Sequence, residues 1–179
     1  LAWTVKLDYQ FGNLSDVAAS PSTLVAVGHA IFSGPRNGDL EWRQKPEGTG
    51  TLNHVVWTGD AFVAAGSGGS IIHSVPTPDG LAWAKASGSG SSDIRGLVWA
   101  GSRAYALAAN GNLLQSTDGK TWSQIAIEGL IRPDRFLFWT GEWLLANHGS
   151  EGLVKSRDGT VWELIPNPNQ RRFSHQNTQ

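Results

Sequence analysis

Three arginines, Arg95, Arg132 and Arg135, stand close to two aspartates, Asp93 and Asp134, in the second half of this chain. A guanidinium carries forked donors that match a carboxylate or phosphate, so such a set on neighbouring loops describes a receptor for an anion. The competing reading pairs them at home, Asp93 with Arg95 and Asp134 with Arg135, as solvated loop charges. His54 and His148, with His29, are the other side chains of chemical interest. Imidazole ligates zinc, but these histidines lack the spacing of a metal site, and neither a metal nor a cofactor is predicted. Glycoside hydrolysis needs two carboxylates about 5–9 Å apart; Glu47, Asp93, Glu128 and Asp134 have the chemistry, but nothing in the sequence pairs them. The segment SGSGSS at 87–92 lacks the lysine and the helix of a phosphate loop and reads as a connector. With no cysteine in the chain, thiolate catalysis, disulfides and Cys-based metal sites are excluded.

Such residues act together only if a frame positions them, and the frame here is periodic. Trp42, Trp83, Trp122 and Trp162 follow one another at steps of 41, 39 and 40 residues. A second series, Trp57, Trp99 and Trp139, steps by 42 and 40. Three units align without a gap: VVWTGDAFVAAGSGGSIIHS at 55–74, LVWAGSRAYALAANGNLLQS at 97–116 and LFWTGEWLLANHGSEGLVKS at 137–156. A fourth, VAASPSTLVAVGHAIFS at 17–33, is three residues shorter. Each unit reads as short apolar strands broken by glycine turns, with a last strand starting at the tryptophan. Four strands every 40 residues or so are the pattern of a β-propeller blade. The fold class expected is all-β, a propeller of four-stranded antiparallel blades at 14–45, 52–87, 94–127 and 134–166. Residues 1–7 read as one extra N-terminal outer strand, the repeats run to 166, and 167–179 read as a polar tail.

After the third strand of the unit comes a turn with serine, Asp-Gly and tryptophan at set offsets. Ser116, Asp118, Gly119 and Trp122 form one copy, and Ser156, Asp158, Gly159 and Trp162 another. Ser74, Asp79, Gly80 and Trp83 form a third, with three additional residues before the aspartate. The aspartate accepts N–H bonds from its own turn, the glycine takes a φ closed to other residues, and the serine ties the strand end to the turn. Burying the indole contributes about 3 kcal/mol or more by area. These twelve residues are therefore read as structural. The string S-x-D-G-x-x-W resembles the Asp-box, or BNR repeat, of sialidases, sortilin-type receptors and photosystem II assembly and stability factors. The resemblance spans about residues 14–166 and implies a bacterial, exported or cell-surface setting.

The sialidase branch of that resemblance implies three arginines holding a carboxylate, a tyrosine activated by a glutamate, and an aspartate acid/base. An Arg-Ile-Pro string normally precedes the first box; the nearest one here is Leu130-Ile131-Arg132-Pro133, between the third and fourth units. Tyr105 aligns with core positions, and Tyr9 lies outside the complete repeats. The leading expectation is a non-catalytic binding or scaffolding propeller that takes a protein or glycan on the loop face around its channel. His54, Arg95, Arg132, Arg135, Asp93 and His148 are its candidate ligand-binding residues, with no catalytic residue. The alternative is a glycan-hydrolysing, sialidase-like enzyme with part of its site in blades not present. A formal net charge of −1 gives no reason to expect nucleic acid as a partner, and no apolar run is long enough for membrane insertion. The absent methionine is consistent with an excised chain. Four blades leave two apolar faces, so a longer propeller, or self-association with a second copy or chain completing the ring, is expected.

Overall fold

The computed structural model describes residues 13–43, 45–149 and 152–166. Apart from one 3-10 turn at Ser67–Gly69, its regular structure is all strand. The first sheet contains β1 (Leu14–Ala19), β2 (Thr23–Gly28), β3 (Ile31–Pro35) and β4 (Glu41–Arg43). The second contains β5 (Leu52–Trp57), β6 (Phe62–Gly66), β7 (Ile71–Thr77) and β8 (Gly80–Lys85). The third contains β9 (Ile94–Trp99), β10 (Ala104–Ala108), β11 (Leu113–Ser116) and β12 (Ser123–Ile125). The fourth contains β13 (Leu137–Trp139), β14 (Leu144–His148), β15 (Gly152–Ser156) and β16 (Glu163–Leu164). Every sheet is an antiparallel meander in chain order. The expected lone strand at 1–7 and the tail at 167–179 lie outside the described residues.

The sequence dictates this stacking through its second strands. β6 reads FVAAG and β10 reads AYALA, and every residue of both is buried. A strand apolar on both sides needs a neighbour on each, which makes a lone sheet unstable and a stack of sheets stable. Three clusters fill the gaps. Val25, Val27 and Ile31 of the first sheet meet Phe62, Ile72 and Trp83 of the second. Val63, Ala65 and Ile71 meet Leu97, Ala106 and Trp122. Tyr105, Leu107 and Leu113 meet Leu144, Val154 and Trp162. Each motif tryptophan is thus wedged between its own blade and the one before it, which is the propeller arrangement the repeat predicts. The inner strands β1, β5, β9 and β13 lie side by side in that order, whereas β1 and β13 share no comparable contact.

Backbone pairing corrects the reading of the first unit. In later blades the motif serine stands opposite the motif tryptophan, as Ser74 does opposite Trp83. In the first blade Ser33 pairs with Glu41 and Phe32 with Trp42. Pairing through β2 puts Ser33 in the place of His73 and Phe32 in that of Ile72, so Trp42 occupies the register of Lys85, which pairs with Ile72, and not that of Trp83. The tryptophan period was right to within two residues there, and the shorter first unit hid the slip. A slip of two residues keeps the faces of a strand, so the apolar pattern does not reveal it and only pairing decides such a position.

Candidate functional site

The inner strands start at the loop end of the channel, and there the polar side chains are tied from blade to blade. The Asp16 carboxylate accepts the Val55 N–H of the next inner strand at 2.9 Å and its own Val17 N–H at 2.8 Å. His54, in the same register, lies mostly buried. That burial holds its pKa below the ordinary value, against the Asp16 charge and a hydrogen bond with the Arg95 backbone. Gly96 takes this position in the third blade, where an added Cβ would stand 2.7 Å from Leu137 Cβ. Arg95 occupies the bulged residue before it, so Arg95 is not in register with Asp16 and His54.

The predicted arginine cluster divides. Arg95 Nη1 and Arg135 Nε both approach Asp134, each at 3.6 Å. Arg132 is engaged through its backbone, with its carbonyl 2.8 Å from His148 Nδ1. Asp93 does not pair with Arg95; its carboxylate accepts the Gly68 N–H of the preceding blade at 2.7 Å. These bonds join blades two to three and three to four. The structure thus brings Arg95 and Arg135 onto one carboxylate and gives Asp93 to backbone. Tyr105 is buried in the core between blades three and four, and burial raises its pKa. Among the described residues no group of three His, Asp or Glu is placed to hold a metal ion.

The motif turns also join blades. In the third blade the Ser116 hydroxyl accepts the Gly119 N–H at 2.9 Å. Asp118 accepts Lys120 N–H at 2.8 Å and Thr121 N–H at 2.9 Å, and Trp122 Nε1 donates to Gly119 O at 3.2 Å. The fourth blade repeats this with Ser156, Asp158, Gly159 and Trp162. The connector leaving the previous blade docks on the turn: Ser87 N–H donates to Lys120 O, Ser87 O accepts Trp122 N–H, and Glu128 N–H donates to Thr160 O. Glycine serves twice. Gly119 and Gly159 have φ of 70° and 84°. A Cβ on Gly119 would meet Val63 at 2.4 Å, and one on Gly159 would meet Leu113 at 2.6 Å. In the second blade the three extra residues lengthen the β7–β8 hairpin to Thr77 and Gly80. There the Ser74 hydroxyl takes the Phe62 N–H, and the buried Trp83 Nε1 has no acceptor.

At the opposite end, where the inner strands finish, the surface is apolar. A depression of about 430 Å³ is lined by Ala18 and Ala19 of β1, Val56 and Trp57 of β5, Leu97, Val98 and Trp99 of β9, and Phe138 and Trp139 of β13. Trp57, Trp99 and Trp139 each pack one side against an inter-blade cluster and keep another side accessible. Phe138 is 58% exposed. Pairing identifies the fourth member of this series: Trp57 opposes Phe62, Trp99 opposes Ala104, Trp139 opposes Leu144, and Ala19 opposes Leu24. An alanine thus stands where three other blades carry indoles, leaving one side of the mouth open. Sequence reasoning placed the site at the loop end and passed over this one. The second tryptophan series was its signal, but the gap at Ala19 is visible only once the register is known.

Comparison with known proteins places this geometry. The chain belongs to the family described as the DUF6242 beta propeller domain, whose model matches residues 38–170. No curated protein sequence matches it significantly. Among solved structures it is similar to human WBSCR16, at 13% identity and a TM-score of 0.65, covering 91% of this chain and 55% of that one. It is also similar to the computationally designed Ika4 protein, at 12% identity and a TM-score of 0.64, covering 85% of this chain and 95% of that one. A structure of YCF48 bound to D1 peptide aligns at 22% identity and a TM-score of 0.55, covering 78% of this chain and 48% of that one. The chain therefore spans about half the length of WBSCR16 and YCF48, and the likeness establishes the fold.

Proposed function

We propose that this DUF6242 propeller domain is a non-catalytic recognition module that seats an apolar segment of a polypeptide partner on the indole-lined end of its channel. The observation that carries the reading is the 430 Å³ depression to which all four inner strands contribute. Its walls are aromatic and aliphatic, the composition of the buried centre of a protein interface. At the other end, Asp16, Asp93, Asp134 and Arg95 are committed to inter-blade bonds, which leaves fewer groups for a ligand. The YCF48 structure supports the reading in that a protein sharing this fold over about half its length is bound to a peptide. The hydrogen-bonded Ser-Asp-Gly-Trp turns favour an Asp-box kinship, and with it an exported protein.

The outer face of the fourth sheet supports a partner of a second kind. Phe138, Leu145 and Leu153 stand at the register positions of Val98, Tyr105 and Leu113, the residues with which the third blade receives the fourth. Leu153 is 44% exposed. This face is suited to a further blade, from a longer chain or a second copy.

Selection from a displayed peptide library on the immobilised chain tests the main reading. Aromatic and aliphatic peptides should be enriched, and enrichment should disappear with Trp99→Ala and with Ala19→Trp, which fills the mouth. Enrichment unchanged by both variants would overturn it. Hydrolysis of a fluorogenic sialoside, lost on Arg95→Ala or Arg135→Ala, would favour the enzyme instead.

A further inference from the structure

The blade junctions of the arc share one design. The glycine of the incoming motif turn rests on the outer face of the preceding sheet. A Cβ on Gly119 would stand 2.4 Å from Val63 Cγ2; one on Gly159 would stand 2.6 Å from Leu113 Cδ2 and 3.5 Å from Tyr105 Cε1. The motif indole packs beside it, Trp122 in one cluster with Val63 and Ile71, and Trp162 in another with Tyr105 and Leu113. In two junctions an arginine of the preceding blade stands beside that turn. Arg43 Nη2 lies 2.8 Å from where a Cβ on Gly80 would stand, and its Nε donates to Ser33 Oγ at 2.9 Å. Arg103 Nη1 donates to Gln115 Oε1 at 2.6 Å, and its charge and that of Asp158 act on the same Tyr105 hydroxyl.

The outer face of the fourth sheet carries the same receiving surface. Leu145 and Leu153 occupy the registers of Tyr105 and Leu113, and Lys155 that of Gln115. Tyr105 and Leu113 are buried, whereas Leu145 is partly exposed and Leu153 is 44% exposed. Trp143 aligns with Arg103, and over its ring stand two cations, Lys155 Nζ and Arg157 Cζ, each 4.2 Å from the centroid. Positive charge is thus kept where Arg103 meets the fourth blade. Their glutamate neighbours, Glu163 at 3.6 Å and Glu142 at 2.8 Å, are exposed partners like the Glu41 of Arg43, and such pairs are weak in water. The far face of the first sheet is different: Ala26 and Phe32 there are only 6% and 4% accessible. It offers no open counterpart, so the first sheet of a second copy does not fit the fourth sheet head to tail.

We propose that this face docks one further blade of the same repeat, belonging to the same polypeptide, by receiving its Asp-Gly-x-x-Trp turn: the glycine and indole on Leu145 and Leu153, the aspartate towards Lys155 and Arg157. The proposal rests on the second reading above, which it deepens, and not on the indole mouth. WBSCR16 and YCF48 likewise hold the matching arc within longer chains. Apolar burial drives the docking, and the turn's glycine permits a close approach that a side chain would block.

The test extends the whole chain with a second copy of residues 127–166, joined after Pro166, and reads the methyl groups of the receiving Leu145 and Leu153 by NMR with a soluble paramagnetic agent. In the extended monomer both should be shielded, and amides of the added copy should gain protection from hydrogen exchange. Gly159→Ala in the added copy should lower that protection about tenfold, and by less when the receiving sheet carries Leu153→Ala. Lys155→Gln in the receiving sheet should lower it about threefold. Leu153→Asp in the receiving sheet should abolish docking and leave the unfolding midpoint of the unextended chain unchanged. Leucines that stay accessible in the extended chain would overturn the proposal and the second reading with it. Shielding unaffected by Gly159→Ala, or equal losses on the two backgrounds, would overturn the proposal alone, since a blade would then dock without its motif turn. Dimerisation of the unextended chain, lost on Leu153→Asp, would make a second copy the occupant and overturn it too.

Discussion

Two tryptophan series share the 40-residue repeat and do different work. Trp83, Trp122 and Trp162 are nearly inaccessible, and each is wedged between two sheets. Trp57, Trp99 and Trp139 stand at the ends of the inner strands, half in the core and half in an open depression. The difference teaches that equal periodicity does not mean equal role. In the first set Trp122 and Trp162 stand just ahead of β12 and β16 and Trp83 within β8, each over the face of the previous blade. The second sits where the stack ends and no further layer covers it. A repeat thus supplies both the rivets of the assembly and, at its rim, three like contact groups.

Truncation separates the sets most strongly. Trp122→Ala or Trp162→Ala should cost about 3–5 kcal/mol, as for other large-to-small core changes. Trp99→Ala should cost less than half as much, because part of the indole is already in water. Denaturant unfolding of the three variants checks this; equal losses would erase the distinction.

The glycine of the motif provides the next comparison. Gly159 and Gly101 have φ of 84° and 77°. A Cβ on Gly159 meets the third blade, whereas Gly101 has nothing within 4 Å. Gly101→Ala should cost about 1–2 kcal/mol from the left-handed conformation alone. Gly159→Ala should exceed it by about 1 kcal/mol or more from overpacking. Equal costs would mean that the blade contact is not tight.

A smaller effect sharpens the motif set itself. Trp122 and Trp162 donate through Nε1 to a glycine carbonyl, and Trp83 has no acceptor. Replacement by phenylalanine should therefore cost about 1 kcal/mol more at 122 and 162 than at 83. A larger loss at 83 would contradict the lengthened hairpin.

The smallest effect is one of pH. The Thr121 N–H first, then the Lys120 N–H and the Ser116 hydroxyl, hold the Asp118 carboxyl below its ordinary value of 3.8, against slight desolvation. A carboxyl depressed on folding contributes stability that is present above its unfolded pKa and lost as pH falls through the folded one. Acid unfolding below about pH 4 should be less steep in Asp118→Asn than in the native chain. Identical acid slopes would show that the turn bonds do not favour the ionised form.

The sequence carried the blades further than the site. Three units aligned without gaps because β6 and β10 need apolar residues on both faces, and β14 keeps apolar residues at its start; that demand is local to each blade. Trp42 misled because its place depends on pairing with β3, and the first unit is shorter. The loop residues were legible as types but not as partners. Asp93 had Arg95 two positions away, yet its carboxylate goes to Gly68 across the blade junction. Such bonds depend on how sheets stack, which no spacing within one unit records.

Fluorine NMR of the chain labelled with 5-fluorotryptophan tests the division most directly, in the presence of a soluble paramagnetic relaxation agent and then of a selected peptide. Resonances of Trp57, Trp99 and Trp139 should broaden with the agent and shift with the peptide, while those of Trp83, Trp122 and Trp162 do neither. Shifts confined to the motif tryptophans, or equal broadening of both sets, would contradict the account.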